Sequence, residues 1–337
     1  MNKVASVYNT LNKNKNVLES TLLIENGKGE VLFQGETDRT IHTPMLMASV
    51  SKLVTTTCIL NLVDKGLVQL EDPIFNYLND VEYEPIQEML KTHDIESLLR
   101  QTTGFNDYYL AKDVAVFKKV IDHDFSFNLD DEITWITSMK HRFKTKQTTR
   151  SFYTDFNFTL LGQVIESITQ KPLHQVIKEV VVEPLQLKKT FLATKSTKNI
   201  PYTYYGQAQF NRPKFIQSSY AGGGIVTTAK ELMIFLKAFY QGQLFEQRHI
   251  DFTAKTNPLQ LSFYPIRYGL GMMHIKVSMP FKKSIHLFGH SGSTGAFAFY
   301  SPFHDVYMVG DVPQVKTPSK PIRLVMRTIL KLPKSTV

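Results

Sequence analysis

The sequence that reads as strand falls towards the two ends of this chain, and the stretch from Asp72 to about Phe215 reads as mostly helix and loop. Near the start, Thr21 to Glu25 and Glu30 to Gln34 flank a turn built on Asn26, Gly27 and Gly29, which predicts a hairpin. Near the end, β-rich or alternating runs at Tyr268 to Val277, Ser284 to Phe288, Ala296 to Ser301 and Val306 to Val312 predict further strands. Helical spacing of apolar residues marks Ser49 to Gly66, Ile95 to Arg100, Glu132 to Lys140, Phe158 to Ile168, Ala229 to Tyr240 and the tail Pro321 to Leu332. Strands so far apart in sequence share a core only if the ends meet. The expectation is therefore an α/β (α+β) fold: a sheet domain of residues 1–71 and 216–337, a mostly helical inserted domain of residues 72–215, and a cleft at their junction as the place for a site.

Composition narrows the partners. The net charge of +9 favours anionic surroundings. The basic residues are scattered and no nucleic-acid-binding signature accompanies them, so nucleic acid is not expected. Anionic cell-wall polymers fit the charge, and the basic run Lys140 to Arg150 is placed to draw such a substrate, or simply to be a solvated loop. The single cysteine, Cys58, excludes an internal disulfide and is expected in the core. Residues 1–15 lack the apolar centre of a signal peptide, and no run is long enough for a transmembrane segment. As the sequence stands it predicts a cytoplasmic protein, or an extracellular or wall-associated one if a leader has been removed.

The chemistry-bearing residues fall in three places. Ser49 is the only serine with a lysine three residues on, Lys52, at the start of a predicted buried helix. Positions i and i+3 share a helix face, so the amine can reach the hydroxyl and, once desolvated, take its proton. Alone, the pair also describes an ordinary surface serine and lysine. The second place is Tyr153, followed by Asp155 and running into an apolar helix; a phenol beside a lysine cation can have its pKa lowered and relay a proton. The third is Gly289-His290-Ser291-Gly292-Ser293-Thr294-Gly295, between two predicted strands, where small residues let a substrate carbonyl approach the backbone. There His290 is expected over the cleft as a donor or local cation, or equally as an ordinary strand-end histidine.

Together these residues resemble the serine β-lactamase and penicillin-binding protein family, with its Ser-x-x-Lys motif. The resemblance is nearest to the branch of class C β-lactamases, D-alanyl-D-alanine carboxypeptidases and β-lactamase-like esterases, whose middle motif begins with tyrosine. It extends through Val63 to Pro73, Ile95 to Gly104 and Ala221 to Ala229. It implies an antiparallel sheet flanked by helices plus the helical domain, and acyl transfer with Ser49 as acylated nucleophile, Lys52 as its partner and Tyr153 as relay. It implies an oxyanion hole from the backbone N–H groups of Ser49 and Ser293, with Asp155, His290, Ser291 and Gly292 meeting the substrate. No metal or cofactor is implied; His286 and His290, four apart, lie in a strand-like segment and lack the Glu of a metal-binding helix, and Gly222 to Gly224 lack the lysine of a phosphate loop.

Two residues depart from the family pattern: Asp155 stands where the family more often has Asn, and His290 where it usually has Lys. A neutral histidine holds a substrate carboxylate less firmly than a lysine. The expected activity is therefore peptidase-like or esterase-like, on a D-amino-acid peptide such as D-Ala-D-Ala or a small acyl ester. A β-lactamase and a non-catalytic penicillin-binding or regulatory module with the same fold are the alternatives.

Overall fold

A computed structural model describes residues 2–332 except 113, 140–146, 148, 253–254 and 280–281, so most of the basic run at 140–150 lies outside the described residues. The strands are β1 (Ser20–Asn26), β2 (Val31–Thr37), β3 (Met45–Leu46), β4 (Phe191–Leu192), β5 (Thr203–Tyr205), β6 (Ala208–Phe210), β7 (Ile225–Thr227), β8 (Asn257–Pro258), β9 (Arg267–Tyr268), β10 (Met273–Met279), β11 (Lys282–Ser291), β12 (Ala296–Ser301) and β13 (Val306–Asp311). Eight of them form one antiparallel sheet in the order β2-β1-β13-β12-β11-β10-β9-β8. The N-terminal hairpin thus joins the C-terminal strands through β1 and β13, with Leu23 opposite Val309.

Side chains alternate across a strand, and here both faces are buried. In β12, Phe297 and Phe299 enter one apolar cluster while Ala296 and Ala298 enter the other. Small residues on the second face let helices Ser51–Asp64 and Ala229–Tyr240 approach. Large ones on the first face fill the space under helices Asn2–Asn12 and Lys320–Ile329. Truncating Phe297 or Phe299, both fully buried, to alanine costs about 3–5 kcal/mol.

The helix Ala229–Tyr240 has the bounds expected from its sequence, with Thr228 capping the N–H of Glu231. Others shift. The helix expected over Glu132 to Lys140 runs Leu129–Ser138, because an Asn128–Asp131 capping box starts it earlier. The apolar helix expected from Phe158 runs Phe156–Thr169. The tail helix packs Leu324, Val325 and Ile329 into the sheet's core as expected. The helix Asn2–Asn12 was not foreseen, although Val4, Tyr8 and Leu11 recur at helical spacing and pack on the same cluster. Cys58 is fully buried, and burial pushes its thiol up to about 12. Among the described residues no helix is long and apolar enough to cross a membrane.

Candidate active site

A small second sheet, β3-β7-β4, carries the turn that holds Ser49. Met45 and Leu46 of β3 pair with Thr227 and Val226 of β7, and the Met47 N–H donates to Ile225 O at 2.9 Å. Ser49 was expected to open the buried helix; it lies instead in a 3-10 turn, Ala48–Val50, immediately before helix Ser51–Asp64. The reason is local: Ala48 takes a left-handed backbone conformation, φ +43°, which a helix does not admit.

Lys52, in the first turn of the helix, has a fully buried side chain. Its Nζ lies 3.1 Å from Ser49 Oγ, 2.5 Å from Asp155 Oδ1 and 2.7 Å from Gly222 O. Burial holds its pKa below the usual lysine range, and the Asp155 carboxylate pulls against that shift. Asp155 stands just before helix Phe156–Thr169, with its side chain about one-third exposed (32%). Gly222 precedes β7, so the small sheet that carries Ser49 also places the carbonyl that holds Lys52.

Tyr153 brings its ring to 5.1 Å from Lys52 Nζ, and packs on Tyr268 and His290 with centroids 5.9 and 6.0 Å away. The expectation that a neighbouring lysine lowers its pKa is overturned. Burial first and the Asp155 charge second push the phenol well above its ordinary value, with only the Ser49 hydroxyl working the other way. The Tyr153 hydroxyl is buried and has no normal hydrogen-bond partner among the described residues.

The strand segment arrives from β11. Gly292 lies against the nucleophile turn so closely that a Cβ there would stand 2.6 Å from Met47 O and 2.9 Å from the Ala48 Cβ. Thr294 ties the two together by donating to Leu46 O at 3.2 Å. Ser293 lines the same cavity as Ser49, and among the described residues its amide N–H has no backbone acceptor. The Ser291 hydroxyl turns away toward Met273 Sδ, at 3.8 Å.

His290 is not the donor or cation that was expected over the cleft. It is fully buried, its Nδ1–H donates to Ser291 O at 2.9 Å, and its Nε2 accepts from the Tyr268 hydroxyl at 3.2 Å. Burial, with Lys52 adding to it, drives its pKa down to about 3, so the ring is neutral. His286 hydrogen-bonds His274 at 2.8 Å rather than joining His290.

Sequence reasoning missed two carboxyl groups. Glu132, taken only as a helix position, lines the cavity with Ser49 and Asp155; it is fully buried and accepts from the hydroxyls of Tyr108 and Thr159, each at 2.9 Å. Burial raises its carboxyl to about 8, against the pull of those hydroxyls. Asp107 is raised to about 7 by burial and by Asp155. The available signal for Glu132 was its position on the apolar face of its helix, one turn before Ile136.

The geometry gathers around Ser49 a desolvated amine and, beyond it, a protonated phenol, with the Ser293 N–H, which has no backbone acceptor among the described residues, on the same cavity as the hydroxyl. The chain matches the family model described as Beta-lactamase over residues 22–315. It is 25% identical over 269 residues to the teichoic acid D-alanine hydrolase of Staphylococcus aureus, a match covering 75% of this chain and 61% of that protein, so the chain spans about three-fifths of that relative's length. Its structure is similar to that of a D-stereospecific amidohydrolase from Streptomyces sp., at TM-score 0.81 and 17% identity, covering 98% of this chain and 99% of that one. It is also similar to an octameric penicillin-binding protein homologue from Pyrococcus abyssi, at TM-score 0.75 and 19% identity, covering 97% and 76%.

Proposed function

Because the chain belongs to the Beta-lactamase family, we propose that it is a serine hydrolase that works through an acyl-enzyme on Ser49. The observation that carries this is the 3.1 Å contact between Ser49 Oγ and a lysine amine that burial has made less basic. Ser49 Oγ attacks a carbonyl carbon and its proton passes to Lys52 Nζ. The ammonium so formed is held between Asp155 Oδ1 and Gly222 O, acceptors already in place. The oxyanion rests on the N–H groups of Ser49 and Ser293. Tyr153, kept protonated by its surroundings, passes a proton to the leaving group and is reprotonated from Lys52. Water then attacks the ester on Ser49 and releases the acid.

The substrate is an ester, amide or peptide of a D-amino acid, or a small acyl ester. The names of the relatives favour a D-configured acyl group, and anionic wall polymers carrying such esters suit the positive net charge. Efficient β-lactam hydrolysis ranks lower, since the neutral His290 supplies no cation for a substrate carboxylate. The site lies between a sheet domain of residues 1–71 and 216–337 and a helical domain of residues 72–215.

Ser49→Ala is expected to lower turnover of phenyl esters by about 10⁴- to 10⁶-fold without unfolding the protein. A fluorophosphonate should add its mass to Ser49 in the wild type and not in the variant. A wild-type protein that forms no adduct with fluorophosphonate, β-lactam or activated ester would count for the non-catalytic alternative.

A further inference from the structure

Resting on the hydrolase reading, we propose that the cleft selects an acyl group bearing a protonated amine, and that Glu132 receives that ammonium beside Ser49. A cavity of about 60 Å³ is lined by Ser49, Asp155 and Glu132 together. Among the described residues, the carboxyl groups of Glu132 and Asp155 line it and Asp107 interacts with Asp155, while Lys52 is paired with Asp155. Glu132 has hydroxyl partners and no ion pair among the described residues.

Arg212, the basic side chain lining the cavity among the described residues, is turned to backbone. Its guanidinium donates to Val120 O, Ile121 O and Asn211 O, and it lies over the Phe210 ring at 4.2 Å. His290, on the strand side, is neutral and has both nitrogens engaged.

A buried carboxylate without a counter-ion is costly, and the raised values of Glu132 and Asp107, caused first by burial, express that cost. A substrate ammonium relieves it by supplying the missing charge and N–H donors to the Glu132 oxygens. An N-acylated amine brings one neutral donor and more bulk. A substrate carboxylate adds charge of the wrong sign. The same surroundings that leave a carboxylate-bearing β-lactam poorly held thus favour a free aminoacyl group such as a D-alanyl ester.

The test compares phenyl esters of D-alanine, N-acetyl-D-alanine and propionate, which share a leaving group, on the wild-type protein and on Glu132→Gln. In the wild type, kcat/KM for the D-alanyl ester should exceed the other two by about 10- to 100-fold, the scale of a charge-assisted hydrogen bond. In Glu132→Gln that ratio should fall about tenfold or more, through KM rather than kcat. Equal use of the three esters by the wild type overturns the proposal without any variant, as does an unchanged ratio in a folded Glu132→Gln protein. Turnover without ammonium preference removes this inference alone; no turnover of any ester together with no Ser49 adduct removes the hydrolase reading as well.

Discussion

The two walls of the cleft meet at Ser49 but are made of different material. On the helical wall, Lys52, Asp107 and Glu132 are ionisable groups shifted first by burial and then by charges that include the Asp155 carboxylate. On the strand wall, His290 through Ser293 present backbone, hydroxyl and a neutral ring, pressed against the nucleophile turn at Gly292. The difference separates two tasks. Protons and charge are handled by helices, whose burial sets the pKa values, while the carbonyl is positioned by a strand end whose usefulness lies in lacking side-chain bulk.

The largest blow to this division should come from Lys52→Met, which removes the proton acceptor on the helical wall. We expect kcat/KM for phenyl acetate to fall about 10³-fold, within the range of general-base losses. A fall of less than tenfold would show that the charged wall is not where the proton goes. Gly292→Ala tests the strand wall. Its Cβ would meet the Met47 carbonyl oxygen and the Ala48 Cβ, both fixed by backbone, so the wall must retreat from Ser49. A displacement near an ångström should cost about 10²-fold in kcat with the fold retained by circular dichroism.

The smallest effect is expected from His290→Gln. With its pKa near 3, His290 does not titrate between pH 5 and 8, so the variant's pH–rate profile should keep its shape there while its height drops by a few-fold. A limb near pH 6 present in the wild type and absent in the variant would assign the histidine to the charged wall after all. Stability gives the same contrast. An unfolded histidine binds a proton near pH 6.5 and the native ring does not, so the wild type loses up to about 1.4 kcal/mol per pH unit as pH falls from 6.5 toward 3. His290→Gln lacks that loss, and its acid unfolding curve should be flatter.

Much of the fold could be read from local pattern. The hairpin, the strands Ala296–Ser301 and Val306–Asp311 and the helix Ala229–Tyr240 each announce themselves through turn residues, period-two alternation or a cap. The short pieces β3, β4 and β7 did not, because strands of two or three residues have no period to detect. Yet it is they that suspend Ser49 and Gly222. At the site, Ser49 and Lys52 were legible because their spacing is local, whereas Glu132 comes to the cavity, Asp107 to Asp155, and Tyr268 to Tyr153 and His290 through tertiary packing. The lowered pKa expected for Tyr153 and the cationic option for His290 fail for one shared reason. Sequence names a group's charged neighbours but not how far it is withdrawn from water, and withdrawal outweighs the neighbours at both positions.

The left-handed Ala48 has a consequence for how the nucleophile is aimed. Its φ of +43° is held by the pairing of β3 with β7 and by the Thr294 hydroxyl on Leu46 O, contacts that do not involve Lys52 or Tyr153. The bearing of the Ser49 hydroxyl is thus set by main chain, independently of the groups that activate it. Disarming the amine or the phenol should leave a serine that is slow but still correctly pointed, ready to be trapped by an electrophile whose own departing group needs no proton.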